Sequence, residues 1–429
     1  MTRGLALILA VALLARVGLV IATPDFVPRG DPAEYDTIAT SVAAGDGYPD
    51  ISYATPNDPS ALRPPGYPFA LGAVYAVSGD SRDAGRIFGA LLGVLSVALI
   101  FLIARATLGE REARIAGWFA ALFPPLVVLN ASLLSEALFM PLMLGAIFAT
   151  LRFRAEPGRV GWALAAGALI GAAALTRSAG LLLAIPVGIA LITAERAPWP
   201  AEWTPVHTRR RWGRLIAPAV ALAAMILVIA PWTIRNAAEL DAFVPIATQD
   251  GYTYAGEYNE LADRRGDALL DAVWQNPPSA ASLRPLFAEG LTEPELNSKL
   301  RGRAFTYMGD HPGYVARALT FNSLRMVHLG SDNHTTEVYN VEANVPEGLR
   351  RVSQLSVYLA LLLAIAGAVV LIRRREGPLW LWLGVPVAMW IAVAPVLGTP
   401  RYRSPLDPFL VMFAAVAVAA LLSRRDRRA

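Results

Sequence analysis

The chain has 429 residues, 55% of them hydrophobic, with a formal net charge of +4 and no cysteine. A soluble domain holds roughly 45–50% apolar residues, so the composition reads as an all-α polytopic membrane protein, without disulfides or thiolate metal sites. Its four histidines, His207, His311, His328 and His334, share no helix-face spacing that would build a metal site. Apart from Lys299 the basic residues are arginines, and their clusters flank apolar runs. Membrane topology explains that pattern without a nucleic-acid partner.

Residues 4–22 form the first apolar run. It exceeds the length of a signal-peptide core and is read as an anchor. Residues 28–50 follow, and Asp31-Pro32 with Glu34 three residues on predicts a helix start: Asp31 as N-cap, Pro32 at the first helical position, Glu34 closing a capping box. Tyr35, Ile38, Ala39 and Val42 make one apolar face, and Gly45 is the stop. This predicts a short helix lying on the membrane surface. A carboxylate at its tip is placed for chemistry at the water–lipid boundary, and an Asp before a Pro is equally an ordinary cap. Residues 66–79 are apolar and too short to cross, and read as a second interfacial helix in the outer loop 23–85.

Further runs at 86–104, 115–131, 134–151, 160–175, 180–194, 215–234, 352–372, 378–396 and 408–422 bring the count to about ten transmembrane helices. With ten, both termini are cytoplasmic. The clusters Arg105–Arg111–Arg114, Arg152–Arg154–Arg159, Arg196 with Arg209–Arg211 and Arg214, Arg373–Arg375 and Arg424–Arg428 then all fall inside, as the positive-inside tendency asks. Three units follow: 1–234, a transmembrane catalytic module; 235–351, a small extracytoplasmic subdomain before the last three spans; and 352–429, the C-terminal helices. In the subdomain an aromatic portion, 243–259, includes Tyr258. Thr292 to Glu295 reads as a capping box, Gly309 as a stop, and Pro312 as a second start with Tyr314, Ala318, Phe321 and Arg325 on one face.

Polar residues at the edges of spans carry the functional signal. Glu136 opens the fourth span, Arg177 sits in a tight turn, Arg235 ends the seventh span, Arg401 and Arg403 precede the last, and Arg63 precedes Pro64-Pro65. Each could be a dipole-facing acid or a snorkelling base. Together they place carboxylates and guanidiniums at one membrane face, where positive charge is otherwise sparse. That suits a reaction with a lipid-bound phosphate as leaving group: Arg neutralises the phosphate and a carboxylate accepts a proton from the incoming hydroxyl.

The ordered motifs Asp31-Pro-Ala-Glu-Tyr, Arg63-Pro-Pro-Gly-Tyr-Pro, Arg86 opening span two, Ser135-Glu136, Pro231-Trp-Thr-Ile-Arg-Asn with the following Phe-Val-Pro-Ile-Ala-Thr, His311-Pro-Gly-Tyr and Arg401-Tyr-Arg-Ser-Pro cover nearly the whole chain. In them the chain resembles bacterial members of the GT-C superfamily of glycosyltransferases, relatives of protein O-mannosyltransferases and of the lipid A aminoarabinose transferase. The resemblance implies sugar transfer, with inversion, from a polyprenyl-phosphate donor to an extracytoplasmic glycan, lipid or protein. It implies Asp31 as catalytic carboxylate and Glu136 as the second acid. It implies Arg63 at the donor phosphate, with Arg401 and Arg403 expected to complete that clamp and Tyr35, Arg177, Arg235 and Tyr258 expected to line the substrate. Some relatives carry a metal-holding acid immediately before the basic residue of the Pro-Pro motif. Leu62 stands there in this chain, which puts a divalent-metal requirement in doubt, and no other cofactor is implied. A transporter or flippase of lipid-linked sugars is the alternative. It would favour inverted repeats and mid-membrane charges.

Overall fold

The computed structural model describes residues 3–49, 51, 59–194, 213–264, 274–329, 334–374 and 377–426. His207, Arg196, Arg209–Arg211, Arg375, Arg427 and Arg428 lie outside them. Among the described residues the chain is helix and turn throughout, with no strand.

In order, the helices are α1 Arg3–Ala22, α2 Asp31–Ala44, α3 Gly66–Ser78, α4 Arg82–Thr107, α5 Glu110–Leu122, α6 Pro124–Asn130, α7 Glu136–Ala155, α8 Gly161–Thr176 and α9 Ala184–Ile192, then α10 Gly213–Leu240. They continue with α11 Gln249–Glu257, α12 Glu260–Arg264, α13 Glu293–Asp310, α14 Pro312–Met326, α15 His334–Glu342, α16 Glu347–Arg374, α17 Val385–Val393 and α18 Asp407–Asp426. Five of the described helices are long and apolar enough to cross a bilayer: α1, α4, α7, α10 over Leu215–Leu240, and α16. The pair α5 and α6 makes a sixth if its 55° bend is one broken span. The other four expected spans coincide with shorter apolar helices, Gly161–Thr176, Ser178–Ile192, Trp380–Val393 and Asp407–Ser423. The chain is thus a multi-pass membrane protein.

Small residues let the long helices meet closely. A Cβ on Gly167 of α8 would fall 1.9 Å from the Ala221 carbonyl of α10, and one on Gly367 of α16 would fall 1.8 Å from the Phe413 carbonyl of α18. Larger residues at either position would push the backbones apart, so glycine here sets the helix spacing.

The bend between α5 and α6 has a chemical cause. Pro124 and Pro125 lack the N–H groups that would bond the carbonyls of Ala120 and Ala121 four residues back. Arg16, buried in α1, supplies replacements: its guanidinium donates to Ala121 O at 3.1 Å and Ala120 O at 3.3 Å, and to Asn130 Oδ1 at 3.0 Å. An unpaired buried carbonyl costs about 1–3 kcal/mol, which this arginine avoids twice.

The surface helices follow the sequence pattern. In α2 Tyr35, Ile38 and Ala39 are buried, Val42 is half-buried, and Gly45 closes the helix at φ 87°. Helix α3 is a 13-residue apolar helix packed on α2. Between α10 and α16 lies a separate hydrophobic cluster, in which Leu296 and Leu300 of α13 meet Tyr314, Ala318 and Phe321 of α14. The Thr292–Glu295 capping box is present. Gly309 is not a stop. Helix α13 runs through it to Asp310, and Pro312 restarts the chain as α14.

Candidate functional site

The C-terminal end of α1, the start of α7, the end of α8 and the start of α18 meet at one end of the helical bundle, and the charged motifs lie there. Gly30 begins α2 at φ 61°, a conformation side chains rarely adopt. The N-cap is therefore Gly30, and Asp31 is the first helical residue, with no capping bond from its side chain. This corrects the expected cap. Freed of that task, Asp31 reaches two arginines: Oδ1 lies 2.6 Å from Arg63 Nη2 and Oδ2 lies 2.7 Å from Arg401 Nη1. Glu34 does not close a capping box either, and its Oε2 accepts from Arg63 Nε at 2.6 Å.

Arg401 is the hub. It contacts Glu136 Oε1 at 2.5 Å and Glu342 Oε2 at 3.0 Å as well as Asp31. Arg177 holds Glu136 from the other side at 2.7 Å, and also donates to Ser135 Oγ at 3.1 Å. Tyr35 donates to the same hydroxyl at 3.2 Å and packs edge-on against Tyr67 at 5.2 Å. Side-chain exposure is 1% for Glu136 and 3% for Arg401, against 18% for Asp31, 15% for Glu342 and 29% for Glu34. A substrate approaching from solvent therefore meets Asp31, Glu34 and Glu342 before the other two. Burial alone would raise the Asp31 carboxyl. The charges of Arg63 and Arg401 outweigh it and hold that group well below the usual carboxylate range.

The loop carrying Arg63 is fixed at several points. Ser60 Oγ and the Ala61 N–H donate to Glu293 at 2.7 and 2.8 Å, and Thr248 Oγ1 donates to the same carboxylate at 2.6 Å. Tyr48 donates to the Arg63 carbonyl at 2.5 Å. Pro64 and Pro65 then stiffen the exit.

Three expected site residues stand elsewhere. Arg235 donates to the Ser60 carbonyl at 2.8 Å and lies over Trp232, so it supports the Arg63 loop. Arg403 pairs with Asp407 at 2.7 Å and donates to the Met326 carbonyl, one turn from the hub. Tyr258 is buried in the cluster of α13 and α14 rather than facing the charges. Glu342 joins the site with no motif to announce it. Its only sequence signal is an acid ending a polar stretch just before a span.

A divalent ion does not fit this arrangement, because the Arg401 guanidinium already stands between Asp31, Glu136 and Glu342, where an ion would bridge them. Among the described residues no other group of three or more His, Asp or Glu is arranged to hold one.

Residues 62–234 match the family model described as dolichyl-phosphate-mannose-protein mannosyltransferase. No curated protein matches the chain. Among solved structures, the archaeal oligosaccharyltransferase AglB from Archaeoglobus fulgidus, in complex with an inhibitory peptide and a dolichol-phosphate, is similar at 16% identity and TM-score 0.57, over 98% of this chain and 50% of that one. The apo form of the Archaeoglobus fulgidus enzyme gives 14% identity and TM-score 0.56, over 98% and 51%. ArnT from Cupriavidus metallidurans, bound to undecaprenyl phosphate, gives 16% identity and TM-score 0.43, over 98% and 77%. The chain spans about half the length of the oligosaccharyltransferase structures. At these identities the likeness is one of fold. The family match over residues 62–234 takes in the Arg63, Arg86 and Ser135-Glu136 motifs.

Proposed function

We propose that this protein is an integral-membrane glycosyltransferase that moves a sugar from a polyprenyl-phosphate donor to an extracytoplasmic glycan, lipid or protein, with inversion at the anomeric carbon. The observation that carries the reading is the convergence of Asp31, Glu136, Arg63, Arg177 and Arg401 on one cluster at one end of the bundle. The family match and the AglB fold support it.

Arg63 and Arg401 receive the donor phosphate. As they turn to it, Asp31 loses the two ion pairs that suppress its basicity and becomes a competent base. It takes the proton of the acceptor hydroxyl as that oxygen attacks the anomeric carbon, and the sugar–phosphate bond breaks with its electron pair on the leaving phosphate. Glu136, gripped by Arg177 and Arg401, orients both guanidiniums. Coupling the base to the donor keeps Asp31 quiet until a sugar is present.

Reconstituted protein supplied with an undecaprenyl-phosphate sugar and a glycan acceptor should release undecaprenyl phosphate as the sugar moves. Passage of the intact lipid-linked sugar across the bilayer, with its phosphate bond unbroken, would establish the flippase instead. The active face is proposed to be extracytoplasmic because the arginines ending α4, α7 and α16 lie at the opposite ends of helices whose starts are nearer the site. Both Ser282 and Gly158 are exposed, and the parent has no cysteine. In intact cells a cysteine at Ser282 should react with an impermeant thiol reagent and one at Gly158 should not. The reverse pattern would invert the site.

A further inference from the structure

The crowding around Arg401 is uneven. Asp31 is served by Arg63 and Arg401, and Glu136 by Arg177 and Arg401. Among the described residues Glu342 has only its share of Arg401, at 3.0 Å, as an ion partner. Nor is it a loose surface acid. Ser132 Oγ donates to the carbonyl of the next residue, Ala343, at 2.7 Å. Tyr339, one turn earlier, packs with Ala343 and Val345 against Val128 and Leu134. The Glu342 carboxylate lies over Gly30, where a Cβ would fall 2.7 Å from Oε1. The charged groups facing it are Arg401 from the loop before α18, Asp31 from α2, and Glu136 from α7. On its own helix, Glu337 is turned to Arg350, and Tyr339 stands between the site and the Arg403–Asp407 pair.

We propose that Glu342 is a further donor-binding residue, which takes up a proton when a polyprenyl phosphodiester binds. This rests on the reading of Arg63 and Arg401 as the phosphate clamp. A phosphodiester drawn onto Arg401 removes Glu342's counter-charge and sets a fixed negative charge beside it. Asp31, released in the same event, adds a second. The carboxylate either remains charged next to two anions or binds a proton, and a buried acid in that position binds the proton. The neutral carboxyl can then donate a hydrogen bond to a phosphate oxygen, where the carboxylate could only repel it. Without donor, burial already raises this group, with Asp31 adding to the rise and Arg401 opposing it, to about 7. The proton is therefore available near neutral pH.

The sign is fixed. A ligand that raises an acid's pKa binds with proton uptake, so affinity is greatest below the free-state pKa and declines as pH rises through it. The test uses undecaprenyl methyl phosphate, a singly charged diester with no sugar to react and no phosphate proton to titrate in this range. Its affinity for the full chain in nanodiscs is measured between pH 6 and 8.5. The parent should weaken at least about tenfold across that range. Glu342→Gln, which is neutral at every pH, should bind like the parent at pH 6 and stay flat within about twofold. A thermal melt guards against misfolding, and Glu342→Asp should restore a slope. An unchanged slope in Glu342→Gln, or a flat parent, would overturn the inference while leaving the clamp intact. Failure of the diester to bind at any pH would overturn both the inference and the donor-site reading.

Discussion

Asp31→Asn should abolish most of the sugar transfer while leaving the protein folded. The change keeps size and hydrogen-bonding capacity and removes the proton acceptor. General base catalysis is worth about 10²–10⁴-fold, or roughly 3–5 kcal/mol of barrier. Folding should tolerate it. Asp31 makes no capping bond, and its removal leaves Arg401 two carboxylates in place of three. Single-turnover transfer should fall at least about a hundredfold, with a melt near the parent's. Arg63→Ala should instead weaken donor binding, and Tyr35→Phe, which loses one 3.2 Å hydrogen bond to Ser135, should be milder than either. Near-parental turnover in Asp31→Asn would return that residue to the role of a structural acid.

Arg401→Met should be the most damaging single change to stability. The side chain is 3% exposed and is the shared partner of Asp31, Glu136 and Glu342. Removing one member of a buried ion pair costs about 3–5 kcal/mol, because the partner's charge stays behind. Here three partners are affected, although Arg63 still serves Asp31 and Arg177 still serves Glu136. Arg403→Met should not match it in function, because among the described residues Arg403 serves only Asp407 and a backbone carbonyl. A coupled variant separates charge from packing. Adding Glu342→Gln to Arg401→Met should recover part of the lost melting temperature, since the carboxylate whose ion partner was Arg401 is then no longer charged. Additive losses in the pair would mean that Arg401 matters for its shape alone.

Much of this site was legible in the sequence because charge is expensive at the membrane boundary. Arg63, Arg177 and Arg401 stood where positive charge is uncommon, and all three converge on Asp31 and Glu136. What spacing could not show is how a short loop would share out the contacts. Asp31 reads as a cap until Gly30, at φ 61°, takes that position. Arg403 has the same local surroundings as Arg401, yet an acid four residues on, Asp407, claims it. Tyr258 sits in an aromatic stretch that suits substrate binding and core packing equally, and it packs in the core. Glu342 belonged to no motif, since its role arises only when α15 docks against the start of α2. Arg16, a lone base in an apolar run, carried no reading of its own, and its partners became clear only with the Pro124-Pro125 break beside it. The apolar runs likewise located the helices better than their lengths. Four of the ten expected spans are short helices.

The most direct test is a structure of the protein with undecaprenyl methyl phosphate bound. The account expects the phosphorus to sit between Arg63 and Arg401, within hydrogen-bonding reach of both guanidiniums. Asp31 should be released from at least one of them and turned toward the space where an acceptor hydroxyl would enter. A phosphate lodged elsewhere, with Arg63 and Arg401 still paired to Asp31 as they are now, would contradict it.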